Sequence, residues 1–240
     1  MQKRNFYLIL VLILSVVIYH IWFTFGVFQN SDWWFFFSAK LKELTFYSTW
    51  TADIKFGSAS LTLWHYPILL LYSVFGHLGF NSNIADFFVI FLPTIIVLPT
   101  SGFLLAKKVT KSNIGAFIGA IVFSFNTYLL TIETQGHNMI VVAFAWSGLA
   151  TLFFLSAIEK QSKKDYILTA VMLSLSTFYD FRICYITIFA LFFYTLYYSY
   201  FIAPKNKKFF YLSIKNITTL TKNLRKLLYP YTNCILIYAS

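Results

Sequence analysis

Charged side chains are scarce. They make up 11% of the 240 residues, against roughly 25% in soluble domains. With 59% apolar residues gathered in long runs, that shortage excludes an ordinary water-soluble core and points to an integral membrane protein. Cysteine is almost missing too. Cys184 lies in an apolar run and Cys234 in the tail, so there is neither a disulfide framework nor a zinc site. The chain has no internal repeat, no Gly-rich phosphate loop and no Cys/His ligand spacing. No resident cofactor is expected on that account, and no residues are singled out as a metal site. Acids are few, eight against 19 Lys and Arg, for a net charge of +11. In a membrane protein such an excess marks cytoplasmic loops rather than a nucleic-acid surface.

The apolar runs set the topology. Phe6 to Phe28 covers about 23 residues. It is longer than a signal-peptide core, and no small-residue cleavage site follows it. At about 1.5 Å per residue it crosses a roughly 30 Å hydrocarbon layer. Lys3 and Arg4 ahead of it predict a cytoplasmic amino terminus. Further spans are predicted over about 87–106, 114–132, 139–158, 166–178 and 184–202. Segment 66–80 is apolar but short, with Pro67 near its start and Gly76 and Gly79 near its end. It reads as an outer-face re-entrant or surface helix. Charge supports this reading. Without a span there, Lys107, Lys108, Lys111, Lys160, Lys163, Lys164 and every Lys and Arg beyond residue 204 fall inside, and only Lys40, Lys42, Lys55 and Arg182 fall outside. The expected fold is an all-α integral membrane protein of about six transmembrane helices, multi-pass in the cell membrane. Its polytopic domain covers 1–203. A basic cytoplasmic tail, held to anionic membrane lipid by its Lys and Arg, covers 204–240.

The first outer loop, residues 29–67, holds Asp32, Glu43 and Asp53 and four of the six Trp. A loop this aromatic is not a disordered linker. It is expected to be an ordered cap, with a helical stretch within 35–44 and a turn-rich break at 56–60. The same topology puts Asp86, Glu133, Asp180, His65, His77 and His137 outside as well, leaving Glu159 and Asp165 inside. Any chemistry is therefore expected on the extracytoplasmic face.

Asp32 fits a general base or a group that orients an acceptor hydroxyl. It equally fits a helix N-cap. Asp53 beside Lys55, and Glu43 beside Lys40 and Lys42, read first as solvated pairs. Glu133 and His137 are four apart, which on a helix gives one face, but Gly136 between them makes a turn an equal reading. A metal there needs further ligands. Arg182, two residues from Asp180, is suited to gripping a phosphate through parallel hydrogen bonds. Alternatively the pair neutralises itself. His65 and His77 read as interfacial anchors. Ser124, Asn126 and Ser174 are the best polar candidates for a path through the spans.

Several features recur in order. An outer acid (Asp32) follows the first span, and a long loop closes on Tyr66-Pro67. Lys107-Lys108 mark an inner loop and Gly136-His137 an outer one. A span opens with Phe144 to Trp146, and an Asp-x-Arg turn follows at Asp180 to Arg182. This layout, over about residues 5–203, resembles the amino-terminal half of GT-C-type membrane glycosyltransferases, including YfhO-like and arabinofuranosyltransferase-like relatives. The resemblance implies transfer of a sugar from a polyprenyl-phosphate donor to a cell-surface acceptor, with the lipid-linked sugar and membrane lipid as partners and no nucleic acid. It puts catalysis on Asp32, a second acidic role on Asp180 or Asp53, and the donor phosphate on Arg182. Glu133 and His137 complete the candidate substrate-binding set. Metal dependence stays open. Such enzymes carry further spans and an outer carboxy-terminal domain, so an incomplete or inactive fragment is also expected. A non-catalytic membrane scaffold or assembly protein is the alternative, with a transporter subunit after it.

Overall fold

A computed structural model describes residues 2–24, 41–44, 50–51, 58–59 and 65–202. Asp32 and Asp53 lie outside the described residues, as do most of the 35–44 stretch and the tail from 203. The described residues are mainly helical, with turns between the helices and a two-residue antiparallel ladder that pairs Trp50–Thr51 with Ser58–Ala59. Part of the expected break at 56–60 is therefore strand.

Helix α1 (Gln2–Ile18) passes into a 3-10 turn, His20–Thr24. Helix α2 (Tyr66–His77) has Pro67 in its first turn, where the missing N–H is not needed. It gives way to Gly79 at φ +83, a left-handed position that suits glycine. Asn81 then caps α3 (Ser82–Asp86), accepting from the Ile84 N–H at 3.0 Å. A π-helical turn, Phe87–Phe91, leads into α4 (Leu92–Thr110), so the chain runs as one helix over Ser82–Thr110. Ser112, Asn126 and Ser162 cap α5 (Asn113–Ser124), α6 (Thr127–Thr134) and α8 (Lys163–Tyr179) through their side-chain oxygens, each satisfying an amide left open by the first turn. Helices α7 (Asn138–Lys160) and α9 (Phe181–Tyr197) complete the set.

Among the described residues, four helices are long and apolar enough to cross a membrane: Ser82–Thr110, Asn113–Thr134, Asn138–Lys160 and Phe181–Ile202. The other two expected spans are shorter here. The apolar part of α1 is Phe6–Ile18. Helix α8 spends its first turn on Lys163, Lys164 and Asp165.

Residues 1–188 form one compact unit and 189–240 a second. Within the first, named contacts fix the helix directions. Along α1, Val11 clusters with Phe103, Ser15 Oγ donates to the Ile95 carbonyl at 2.9 Å, and Trp22 stacks on Phe91 at 4.5 Å. Helix α1 is therefore antiparallel to α4. Gly148 of α7 faces Ser101, and Lys108 meets Glu159 at 2.7 Å, so α7 runs with α4. Ser176 Oγ of α8 donates to the Ala143 carbonyl at 2.9 Å, turning the chain back again. One end of the bundle thus gathers Tyr19, Asp86, Glu133 and Asp180, and the other Lys107, Lys108, Glu159, Lys160, Lys163 and Lys164.

Helix α2 is wedged into the acid-bearing end. Its Ile68 and Tyr72 join Ala85, Val89, Phe91, Val142, Ala143 and Tyr179 in the largest buried cluster. Gly76 lets the turn at 41–44 approach. A Cβ there would lie 2.6 Å from Leu41 Cβ and 3.0 Å from the Leu41 backbone carbon.

Candidate functional site

The turn between α8 and α9 is built on Asp180. Its own N–H closes α8 onto the Ser176 carbonyl at 2.8 Å, and its extended backbone (φ −156°, ψ 112°) ends that helix. Its carboxylate then opens α9, accepting from the Arg182 N–H at 2.9 Å and the Ile183 N–H at 3.4 Å. This is the N-cap geometry expected of Asp. The same carboxylate receives Arg182 Nε at 3.1 and 3.2 Å and Arg182 Nη2 at 2.6 Å. The structure thus brings Asp180 and Arg182 together. Asp180 is buried, while the Arg182 side chain is 61% exposed. Among the described residues, Arg182 Nη1 has no hydrogen-bond partner. The guanidinium is fixed on one edge and presented on the other.

His65, at the amino end of α2, packs against this turn. Its Nδ1 lies 2.8 Å from the Phe178 carbonyl. A carbonyl only accepts, so Nδ1 carries the proton and the neutral ring is fixed as that tautomer. The ring is 7% exposed. Burial pushes its pKa below the ordinary value. The Phe178 carbonyl and Asp180 pull it upward, and Arg182 adds to the lowering. The expectation of an interfacial anchor underrated His65, which ties α2 to the turn that presents Arg182.

Two carboxyl–phenol pairs lie at the same end. Tyr19 Oη donates to Glu133 Oε1 at 2.9 Å, joining the end of α1 to the end of α6. Tyr72 Oη donates to Asp86 Oδ1 at 2.5 Å, joining α2 to α3. All four residues are buried. Neither carboxyl is paired with a cation among the described residues. Tyr19 also stacks on Trp22 at 4.3 Å, and Tyr179 Oη donates to the Val89 carbonyl of the π-helical turn at 2.7 Å.

Glu133 therefore faces α1. Helix α6 ends at Thr134, Gly136 sits at φ +87, and α7 begins at Asn138 with His137 half-buried as its cap residue. Of the two readings for these residues the turn is the one formed, and the shared helix face is not. Among the described residues no group of three or more His, Cys, Asp or Glu is placed to hold a metal ion. Glu43 is exposed in the 41–44 turn. Asp32 and Asp53 lie outside the described residues.

Asp86 was legible as an acid within an apolar run, a placement that marks function or a buried partner. Tyr19 and Tyr72 carried no such signal, being two of 17 tyrosines. No family model, curated protein or solved structure matches the chain.

Proposed function

We propose that this chain is a multi-pass membrane protein with a cytoplasmic amino terminus and a GT-C-like arrangement of about six spans. It transfers a sugar from a polyprenyl-phosphate donor to an acceptor at the extracytoplasmic face. One observation carries the reading: Arg182 is anchored by Asp180 along one edge and exposed along the other, at the end of the bundle opposite Lys107 and Lys108. An arginine so held is pre-organised for a phosphate oxygen. In the reaction, the bond between the sugar's anomeric carbon and the donor phosphate breaks as the acceptor oxygen bonds to that carbon. Asp32 accepts the acceptor's proton. Arg182 counters the charge on the departing polyprenyl phosphate.

Asp180 serves this scheme by holding Arg182 and capping α9, because its oxygens are already engaged. That engagement also favours the alternative of a non-catalytic scaffold, in which the pair only neutralises itself. A transport path has less support. Asn126 bonds to the Val122 and Phe123 carbonyls and caps α6, and Ser174 bonds to the Ala170 carbonyl. Both are turned onto their own backbone, and of the three polar candidates only the buried Ser124 Oγ has no hydrogen-bond partner among the described residues.

The test is sugar transfer from a short-chain polyprenyl-phosphate sugar in membrane vesicles. Asp32→Asn and Arg182→Ala are each expected to lower the rate by about 100-fold or more. Full activity in Asp32→Asn excludes Asp32 as the base, and a wild type that transfers no more sugar than empty vesicles leaves the scaffold.

A further inference from the structure

We propose that the turn joining α7 to α8 binds the headgroup of an anionic phospholipid through Lys160, Lys163 and Lys164, with an acyl chain of that lipid lying along α8. This rests on the reading of the chain as membrane-spanning.

Lys160 is the last residue of Asn138–Lys160, a helix long and apolar enough to cross a membrane. The turn that follows therefore lies at the level of lipid headgroups. Its shape is fixed by its own side chains. Gln161 takes φ +55, and its Nε2 donates to the Ile158 carbonyl at 2.7 Å. Ser162 then caps α8, accepting from the Asp165 N–H at 3.3 Å. Three exposed lysines are thus held within residues 160–164.

Their charge is not met within the described protein. Glu159, the adjoining acid on α7, is engaged by Lys108 at 2.7 Å. Asp165 is the one acid in the first turn of α8. Among the described residues, the ammonium groups of Lys160, Lys163 and Lys164 make no hydrogen bond or ion pair. Lys163 and Lys164 also occupy the start of a helix, where the dipole disfavours cations. An anion seated between them offsets that repulsion.

The residues that follow select a lipid over a free phosphate. Ile167 and Val171 are exposed. They stand three and seven residues after Lys164, so all three share one face of α8. That face is cationic at the headgroup level and apolar beyond it, which matches an anionic amphiphile.

The experiment uses the full chain in nanodiscs of phosphatidylcholine, with Cys184 and Cys234 replaced and a bimane label on Ile167→Cys. The probes are phosphatidylglycerol and phosphatidylcholine, each with a doxyl quencher on its acyl chain. Each lysine near the surface favours an anionic lipid by about fivefold, and Asp165 offsets one of the three, so the phosphatidylglycerol probe should quench at an about 25-fold lower mole fraction. Replacing Lys160, Lys163 and Lys164 together by Gln should remove the preference. A label on Val122→Cys, exposed at the far end of α5 from Lys111, should show none. Equal or absent quenching at position 167, a preference that survives the triple replacement, or a like preference at position 122 overturns the inference alone, provided position 122 is quenched. Fluorescence restored by millimolar inorganic phosphate, beyond the effect of matched chloride, makes the occupant a free anion and overturns it too. Quenching at neither position overturns the membrane-spanning reading, and the inference with it.

Discussion

Gly119 offers the most direct test of how closely α4 and α5 are packed. A Cβ placed on it would fall onto Ala106 Cβ, well inside the roughly 3.5–4.0 Å at which two carbons rest. Neither atom belongs to a flexible side chain, so Gly119→Ala separates two helices rather than rotating a group. The separation loosens the buried cluster of Val11, Phe103, Ala116 and Ala120 on the same face. Overpacking of this kind costs about 3 kcal/mol, and about 1 kcal/mol is returned by alanine's better helix propensity. The net loss is about 2 kcal/mol. Ala106→Gly alone loses about 1 kcal/mol of propensity. In the double variant the clash is gone, because the next atom in line is Ala106 Cα at 3.8 Å, an ordinary contact. The two propensity changes cancel, so the swapped pair should unfold close to wild type, where simple addition predicts a loss of about 3 kcal/mol. Thermal unfolding in detergent can be followed through Cys184, whose buried thiol meets a maleimide dye only on opening, in a background with Cys234 replaced by Ser. Gly119→Ala should lower the midpoint by about 4–8 °C, and Ala106→Gly should restore it. A double variant no more stable than Gly119→Ala refutes the close approach.

The Tyr19–Glu133 pair should behave as a tie between α1 and α6. Tyr19→Phe is expected to cost about 1–2 kcal/mol, and the cycle with Glu133→Gln to show a coupling of about 1 kcal/mol. Strictly additive unfolding energies would mean that the two side chains do not meet. His65 should make stability depend on pH. Its folded pKa lies below the ordinary value, so the unfolded chain binds the proton more readily. Its contribution is full above about pH 6.5 and declines as the pH falls below that value, by at most about 1.4 kcal/mol per unit. His65→Asn should flatten this limb of the stability profile, and an unchanged limb assigns it to other groups. Cysteines introduced singly at positions 108 and 137, with Cys184 and Cys234 replaced, should label from opposite sides of sealed vesicles. Labelling from one side by an impermeant reagent removes the proposed topology.

Local signals were readable because they act over three or four residues. Ser112, Asn126 and Ser162, none of them expected above as a cap, each stand three residues before the amide they cap, and the apolar run expected at 139–158 lengthens only to Asn138–Lys160. Asn126 also shows where such reading stops. The expected span at 114–132 lies within the membrane-length stretch Asn113–Thr134, yet its asparagine divides that stretch into α5 and α6, because the side chain satisfies Leu129 N–H and the Val122 and Phe123 carbonyls together. Apolar content alone outvotes one polar residue in a window of 20, whereas the backbone responds to that residue's hydrogen bonds. The site divides along the same line. Asp180 and Arg182 are two residues apart and meet. Glu133 was matched with its sequence neighbour His137 but finds Tyr19, 114 positions away. A carboxyl buried without a cation has a strong demand for a donor, and in a helical bundle that donor comes from whichever helix lies alongside. Helix direction decides which one it is. Because successive helices alternate in direction, the end of α1 must meet the end of α6 and the start of Ser82–Thr110, so Tyr19, Trp22, Phe91 and Glu133 had to share one level of the bundle. The alternation that segregated lysines from acids along the chain is thus the same constraint that brought these side chains together, and a pairing search restricted to one level would have reduced Glu133's candidates to a handful that included Tyr19.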